Sequence, residues 1–221
     1  LKQVDMVRLD HFRGFEAYWK IPAQEPTAVN GRWVPGPGKS FFDAMSERVG
    51  PLSIIAEDLG VITPAVDALR EACGFPGMRV LQFWLEDESQ PDRFDPASYP
   101  RNCVVYTGTH DNDTTLGWFQ GPPGLDDPRS PEQVEQQRRD MLQQLGGDGE
   151  DVPWDLIRFA LRTQADTVIV PLQDVLGLGS AARMNIPGVP DGNWRWRFSW
   201  EQIRPALLHR LRQDAHATNR V

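Results

Sequence analysis

The chain holds only two cysteines, Cys73 and Cys103, and four histidines among its 221 residues. Two cysteines make neither a metal-ligand spacing nor a disulfide framework. Both sit among apolar neighbours and read as reduced packing residues of a cytosolic protein. The histidines include no His-x-His or His-x-x-x-His pair, which argues against a metal centre. No apolar run approaches the roughly 18 residues of a membrane span. There is no dense Lys/Arg block, and the net charge is −8, which argues against a nucleic-acid partner. Gly177-Leu178-Gly179 lacks the third glycine and the strand–helix context of a phosphate loop.

What is present is ordinary globular material, 40% apolar and 24% charged, enough for one large domain or two small ones. Tryptophan is abundant, with eight residues. Each can be core, but Asn193-Trp194-Arg195-Trp196-Arg197 also suits stacking on the apolar face of a sugar ring. The most informative stretch is Val7-Arg8-Leu9-Asp10-His11-Phe12-Arg13-Gly14-Phe15. Met6, Val7 and Leu9 read as the end of a buried strand that runs directly into charge. Arg8 and Asp10 lie two apart, so a strand points them to the same side. A guanidinium beside a carboxylate keeps it ionised, as a carboxylate nucleophile requires. The competing reading is a surface ion pair at a strand end.

Four more strands follow on the same pattern: 53–56, 78–83, 103–107 and 167–171. Helices are expected over 40–48, 65–73, 132–145, 154–164 and from Pro205, with a short one over 114–120 and fraying after 214. Thr63 and Pro64 read as cap and first turn of the second helix, and Gly74 as its stop. Residues 21–38, rich in Pro and Gly, read as loop, as do 87–101 and the turn-rich 121–130. The 177–197 segment is long for a compact domain, which marks it as functional. Strand and helix alternate without tight hairpins, the pattern of a parallel α/β fold.

Three of these five strands stop at acidic residues: Asp10, Glu57 and Asp111. In a parallel barrel all C-terminal strand ends lie on one face. Glu57 follows the most apolar of the three strands, and burial favours the protonated form, so it is the candidate proton donor. Two carboxyls with split roles are what glycoside cleavage needs. Glu57-Asp58 also fits a solvated turn before a helix. His110-Asp111-Asn112-Asp113 also fits a helix cap or a metal site.

Together, Arg8-Leu9-Asp10-His11-Phe12-Arg13-Gly14-Phe15, Ile55-Ala56-Glu57-Asp58-Leu59-Gly60, Gly108-Thr109-His110-Asp111-Asn112, Pro171-Leu172-Gln173-Asp174 and Met184-Asn185-Ile186-Pro187-Gly188 with Asn193-Trp194-Arg195-Trp196-Arg197 resemble the 4-α-glucanotransferases of the amylomaltase type, relatives of the α-amylases. The resemblance implies an α/β fold that is part of a TIM (β/α)8 barrel, the five strands being strands 4 to 8 of a single catalytic domain over 1–221. It implies Asp10 as nucleophile, Glu57 as general acid/base and Asp111 as transition-state stabiliser. Arg8, His11, His110, Asn185 and Trp194 are implied as substrate-binding residues. The substrates implied are α-1,4-glucans, with no cofactor, no metal, no nucleic acid and no membrane partner. The resemblance departs at the start, where the earlier strands, their Asp-x-x-x-Asn-His-type stretch and the acceptor-side loop are absent. The chain is therefore expected to be the C-terminal portion of a longer one, and a half barrel alone would expose unpaired strand edges. A plain α-glucan hydrolase and a non-catalytic glucan-binding protein are the competing functions.

Overall fold

The computed structural model describes residues 3–121, 130–147 and 149–220. The turn-rich loop expected over 121–130 falls largely on 122–129, outside the described residues. The chain forms two compact units, one running to Met78 and including Asn102–Val104, the other comprising Arg79–Arg101 and the chain from Val105 onward.

In the first unit β1 (Val7–Leu9) leads through the single turn α1 (Arg13–Glu16) into β2 (Ala17–Lys20), which pairs antiparallel with β3 (Arg32–Pro35). This pair corrects the expectation that 21–38 is loop throughout. Its stabilising contacts are non-local: the Trp19 and Trp33 rings meet across the strands at 5.3 Å, Arg13 lies 4.1 Å over Trp33, and the Trp19 indole N–H donates to the Ala28 carbonyl at 2.8 Å. Next come α2 (Lys39–Val49), β4 (Ile54–Ala56) and α3 (Pro64–Cys73). Pro64 stands in the first turn of α3, and Gly74 ends it with φ +71, a conformation that costs glycine little. Thr63 precedes the helix in an extended conformation but makes no side-chain cap bond, contrary to expectation.

β1 and β4 pair in parallel, with Val7 opposite Ile54 and Leu9 opposite Ala56. Behind them Phe12, Phe42, Ala56, Val66 and Phe75 form the buried core of this unit. Phe42 stacks on Phe12 at 5.6 Å and meets Phe75 edge-on at 5.2 Å, geometries that aromatic quadrupoles favour. Phe12 thus turns back into the core within two residues of exposed Asp10, and this anchors the strand end.

β5 (Gly77–Val80) spans the division between the units and is followed by α4 (Leu81–Trp84). A strand was expected to reach Phe83. The apolar run 80–85 contains no breaker, and periodicity alone does not separate strand from helix in so short a run. β6 (Cys103–Tyr106) likewise spans the division, and the second unit continues with α5 (Thr115–Gln120), α6 (Pro131–Leu145), α7 (Val152–Arg162), β7 (Thr167–Ile169), α8 (Leu172–Val175) and α9 (Pro205–Ala217). The sheet order is β5-β6-β7. Ser130 and Gln133 cap α6 reciprocally. α7 is buried along nearly its whole length, and Trp154, Ile157 and Leu161 form a core with Val175. The fraying expected after 214 does not occur. Arg220 donates to the Leu161 and Thr163 carbonyls at 2.7 and 2.6 Å, which ties the end of the chain to α7.

Candidate active site

In the first unit the parallel pairing of β1 with β4 delivers Asp10 and Glu57. Each stands one residue beyond the paired Leu9 and Ala56, and the Glu57 N–H donates to the Leu9 carbonyl at 3.0 Å. Asp10 projects into solvent, its side chain 77% exposed, and accepts from Arg8 Nη1 at 2.8 Å. The pairing read from the sequence is present. An exposed ion pair of this kind contributes little to stability, so what it gives is orientation of the Asp10 carboxylate.

Glu57 is fixed differently. Its Oε2 accepts the His11 backbone N–H at 2.7 Å and its Oε1 the Leu59 N–H at 3.0 Å. The deep apolar burial expected for Glu57 is absent: the residue is half-buried. Its neighbour Asp58 is the buried one, accepting the Met78 N–H at 2.7 Å with Arg70 Nε at 3.3 Å. The solvated-turn reading of Glu57-Asp58 therefore does not describe this turn. A Cβ at residue 77 would stand 2.3 Å from Asp58 Oδ2, so the approach of Asp58 to β5 requires Gly77. His11 meets Glu57 through its backbone, at a φ of +51, and its imidazole lies against Gly14.

In the second unit, β6 ends in the segment that carries His110 and Asp111. Asp111 Oδ1 accepts from Asn185 Nδ2 at 2.5 Å, and the Asp111 carbonyl accepts from Arg183 Nη2 at 2.7 Å. His110 Nε2 lies 3.3 Å from Asp111 Oδ2. Asn112 turns inward and its Oδ1 accepts from Thr109 N and Oγ1 at 2.9 and 2.7 Å. α5 is capped not by this stretch but by Thr114, whose hydroxyl accepts the Gly117 N–H. Trp194 is 54% exposed, and its ring centroid lies 5.2 Å from that of His110. Core packing is thus excluded for Trp194, whose φ is +61. Trp196 is half-buried and stacks on Phe198. Asn193 serves the loop itself: it accepts from Ile186 N and donates to the Val189 carbonyl. Three non-glycine residues among those described adopt positive φ, and two of them, His11 and Trp194, are candidate substrate residues. Such backbone persists where surrounding structure over-determines it, often at functional sites.

Arg8, Asp10, His11 and Glu57 thus gather in one unit, and His110, Asp111, Asn185 and Trp194 in the other. The roles of Arg183, Asn112 and Asp174 were not read from the sequence. Asn185 was expected as a substrate-binding residue and Arg183 was legible only as a polar residue in a long loop; the contact of both with Asp111 was not legible, because Asp111 lies more than 70 positions earlier. No group of three His, Cys, Asp or Glu side chains suited to a metal ion occurs among the described residues, and no described helix is long and apolar enough to cross a membrane.

The fold and these residues define an α/β protein with acidic groups at its strand ends. A family model described as 4-alpha-glucanotransferase matches residues 1–203, and the chain belongs to that family. It is 47% identical over 229 residues to the 4-alpha-glucanotransferase of Thermus thermophilus, an alignment covering 100% of this chain and 43% of that protein. It is 50% identical over 214 residues to that of Synechocystis sp., covering 96% of this chain and 40% of the relative. The structure of an amylomaltase from Streptococcus agalactiae in complex with acarbose superposes with a TM-score of 0.86 at 32% identity, over 99% of this chain and 42% of that one. The fold is therefore of the amylomaltase type, and the chain spans well under half the length of these relatives.

Proposed function

We propose that the chain carries the catalytic carboxylates of a 4-α-glucanotransferase that moves α-1,4-glucan segments between maltooligosaccharides with retention of configuration. The observation that carries this is the pair Asp10 and Glu57, each one residue past the register-matched ends of two parallel strands. Glu57 protonates the glycosidic oxygen while Asp10 attacks the anomeric carbon. The C1–O bond breaks, the reducing-end fragment leaves with the proton, and a β-linked glycosyl ester forms on Asp10. Glu57 then takes the proton from the 4-hydroxyl of an acceptor glucan, which attacks C1 and releases Asp10. Two inversions give net retention.

Asp111 is the stabiliser of the oxocarbenium-like transition state, its carboxylate steered by Asn185. Arg8, His11, His110, Asn185 and Trp194 are the proposed sugar-binding residues. The exposed Trp194 ring beside His110 supports this, since it offers an apolar face next to a hydrogen-bonding group. In this reading the five strands expected from the sequence are strands 4 to 8 of one (β/α)8 catalytic domain, and the protein works in the cytoplasm without a cofactor.

Maltotriose tests it. Transfer yields glucose together with oligomers longer than the substrate. Shortening without longer products identifies a hydrolase, and unchanged handling of glucan by Asp10→Asn identifies a binding protein.

A further inference from the structure

We infer that Asp174 is a positioning residue for the transfer reaction: its single carboxylate fastens both ends of the segment 108–114 and so fixes His110 and Asp111. The inference rests on the transferase reading above. Thr107 directly follows β6 and precedes this segment, and Thr115 opens α5 directly after it. The Thr107 hydroxyl donates to Asp174 Oδ2 at 2.5 Å, the Thr115 hydroxyl to the same oxygen at 2.8 Å, and the Thr115 N–H to Oδ1 at 2.8 Å. Two residues eight positions apart therefore converge on one side chain, which is 1% exposed.

Within the loop so closed, the groups are also tied. The Gln82 amide donates to the Asp113 carbonyl at 2.9 Å, and the Ser180 hydroxyl donates to Asp113 Oδ2 at 2.7 Å. A Cβ at residue 117 would stand 2.4 Å from Ser180 Oγ and 2.6 Å from Asp113 Oδ1, so a larger residue there would displace the Ser180–Asp113 bond. Asp111 is then met from outside by Arg183 and Asn185. These bonds reach Asp111 in one place only if the base of its loop does not spread.

Stability alone gives a poor account of Asp174. Its three donors are neutral groups, and the charge that acts on it, Asp113, is of like sign. Burial and that neighbour both push its carboxyl above the usual aspartate range, against the three hydrogen bonds, which pull it down. A buried charge held by neutral groups is costly compared with an apolar side chain of similar volume. What the carboxylate supplies and an apolar residue cannot is one acceptor bridging two chain positions.

The test uses the protein at its full natural length, with Asp174→Ala, Asp174→Asn and Thr107→Val. kcat and KM for maltotriose disproportionation are measured separately, together with backbone amide exchange across 108–114. For Asp174→Ala the expected result is a kcat lower by about 100-fold, the scale of a roughly 1 Å misplacement of reacting groups, with KM changed by less than about threefold. Exchange accelerates across 108–114 and not in α7. Asp174→Asn recovers part of kcat, because its amide oxygen still accepts the Thr115 N–H. Thr107→Val keeps the side-chain volume, removes one donor and lowers kcat by about tenfold while the protein stays folded. Wild-type kcat in Asp174→Asn and Thr107→Val with unaltered exchange across 108–114 overturns the inference, as does a kcat loss that only follows the unfolded fraction. A wild-type protein that performs no transfer removes the transferase reading instead. The exchange arm then decides alone whether Asp174 fastens this segment, faster exchange confined to 108–114 keeping that role and unaltered exchange ending it.

Discussion

Asp10 and Asp111 are both carboxylates just past a strand, yet they are held in opposite ways. Asp10 is 77% exposed and takes its one strong partner, Arg8, from two residues away. Asp111 has its neighbour His110 at 3.3 Å but takes hydrogen bonds from a loop more than 70 residues further on, Asn185 on its carboxylate and Arg183 on its carbonyl. A group that must attack an incoming carbon needs access, and a short-range ion pair orients it without covering it. A group that only stabilises developing charge can be gripped from several sides, because preorganisation is its whole contribution.

The largest effect is expected at Asp10. Asp10→Asn should lower kcat for transfer by about 10⁴-fold or more, the scale seen when a catalytic group acting as part of a unit is lost. Its melting temperature should be nearly unchanged, since an exposed substitution shifts stability by only about ±0.5 kcal/mol. A steady-state assay and a melting curve on the same preparation check both halves. Asn185→Ala leaves Asp111 in place but removes its steering bond. The expected loss is about 10- to 100-fold in kcat, with KM for maltotriose less affected. A variant with wild-type kcat would reduce Asn185 to a loop residue.

A third prediction concerns pH. Asp174 lies between β6 and α5, and its carboxyl is raised above the usual aspartate range by burial first, with Asp113 adding to the shift. The folded protein thus binds this proton more readily than the unfolded chain. The favourable contribution is fully present below the ordinary aspartate value of about 3.9 and is lost as pH rises through the folded value. Asp174→Asn lacks this dependence. Lowering the pH from neutrality towards that value should therefore move the melting-temperature difference between the two proteins in favour of wild type. A constant difference would show that Asp174 does not titrate in this window. The smallest effect is expected at Trp194. With its ring 54% exposed, Trp194→Ala should change stability by no more than about 0.5 kcal/mol and shift products from transfer towards hydrolysis. A large stability loss with an unchanged product ratio would contradict the proposed sugar-binding role of Trp194.

Much of the frame was legible because its causes are local. The five expected strands all form, and Pro64 and Gly74 bound α3 where turn chemistry says they should. Asp10 and Glu57 could be proposed as a pair because strands that run from apolar residues into charge are visible in one dimension, and the strands that carry them do pair. The strand pair β2–β3 was missed because its signal is a contact between Trp19 and Trp33, across a loop that composition alone marks as irregular. Leu81–Phe83 was read as strand because a short apolar run carries no period of its own. The apolar strand before Glu57 suggested burial for that residue, whereas the turn gives the buried position to Asp58, which Gly77 lets approach β5.

The chain alone singles out the residues proposed to bear the chemistry. Carboxylates, guanidinium and tryptophan are chosen by type, and type is written in the chain. The folded chain alone sets how each is held. It set two backbone N–H groups on Glu57, gave Asp111 to Asn185 and Arg183, turned Trp194 outward beside His110, and converged Thr107 and Thr115 on Asp174. Most of these bonds join positions dozens of residues apart, where no local propensity reaches, and Trp194 adopts a backbone conformation that its own side chain disfavours.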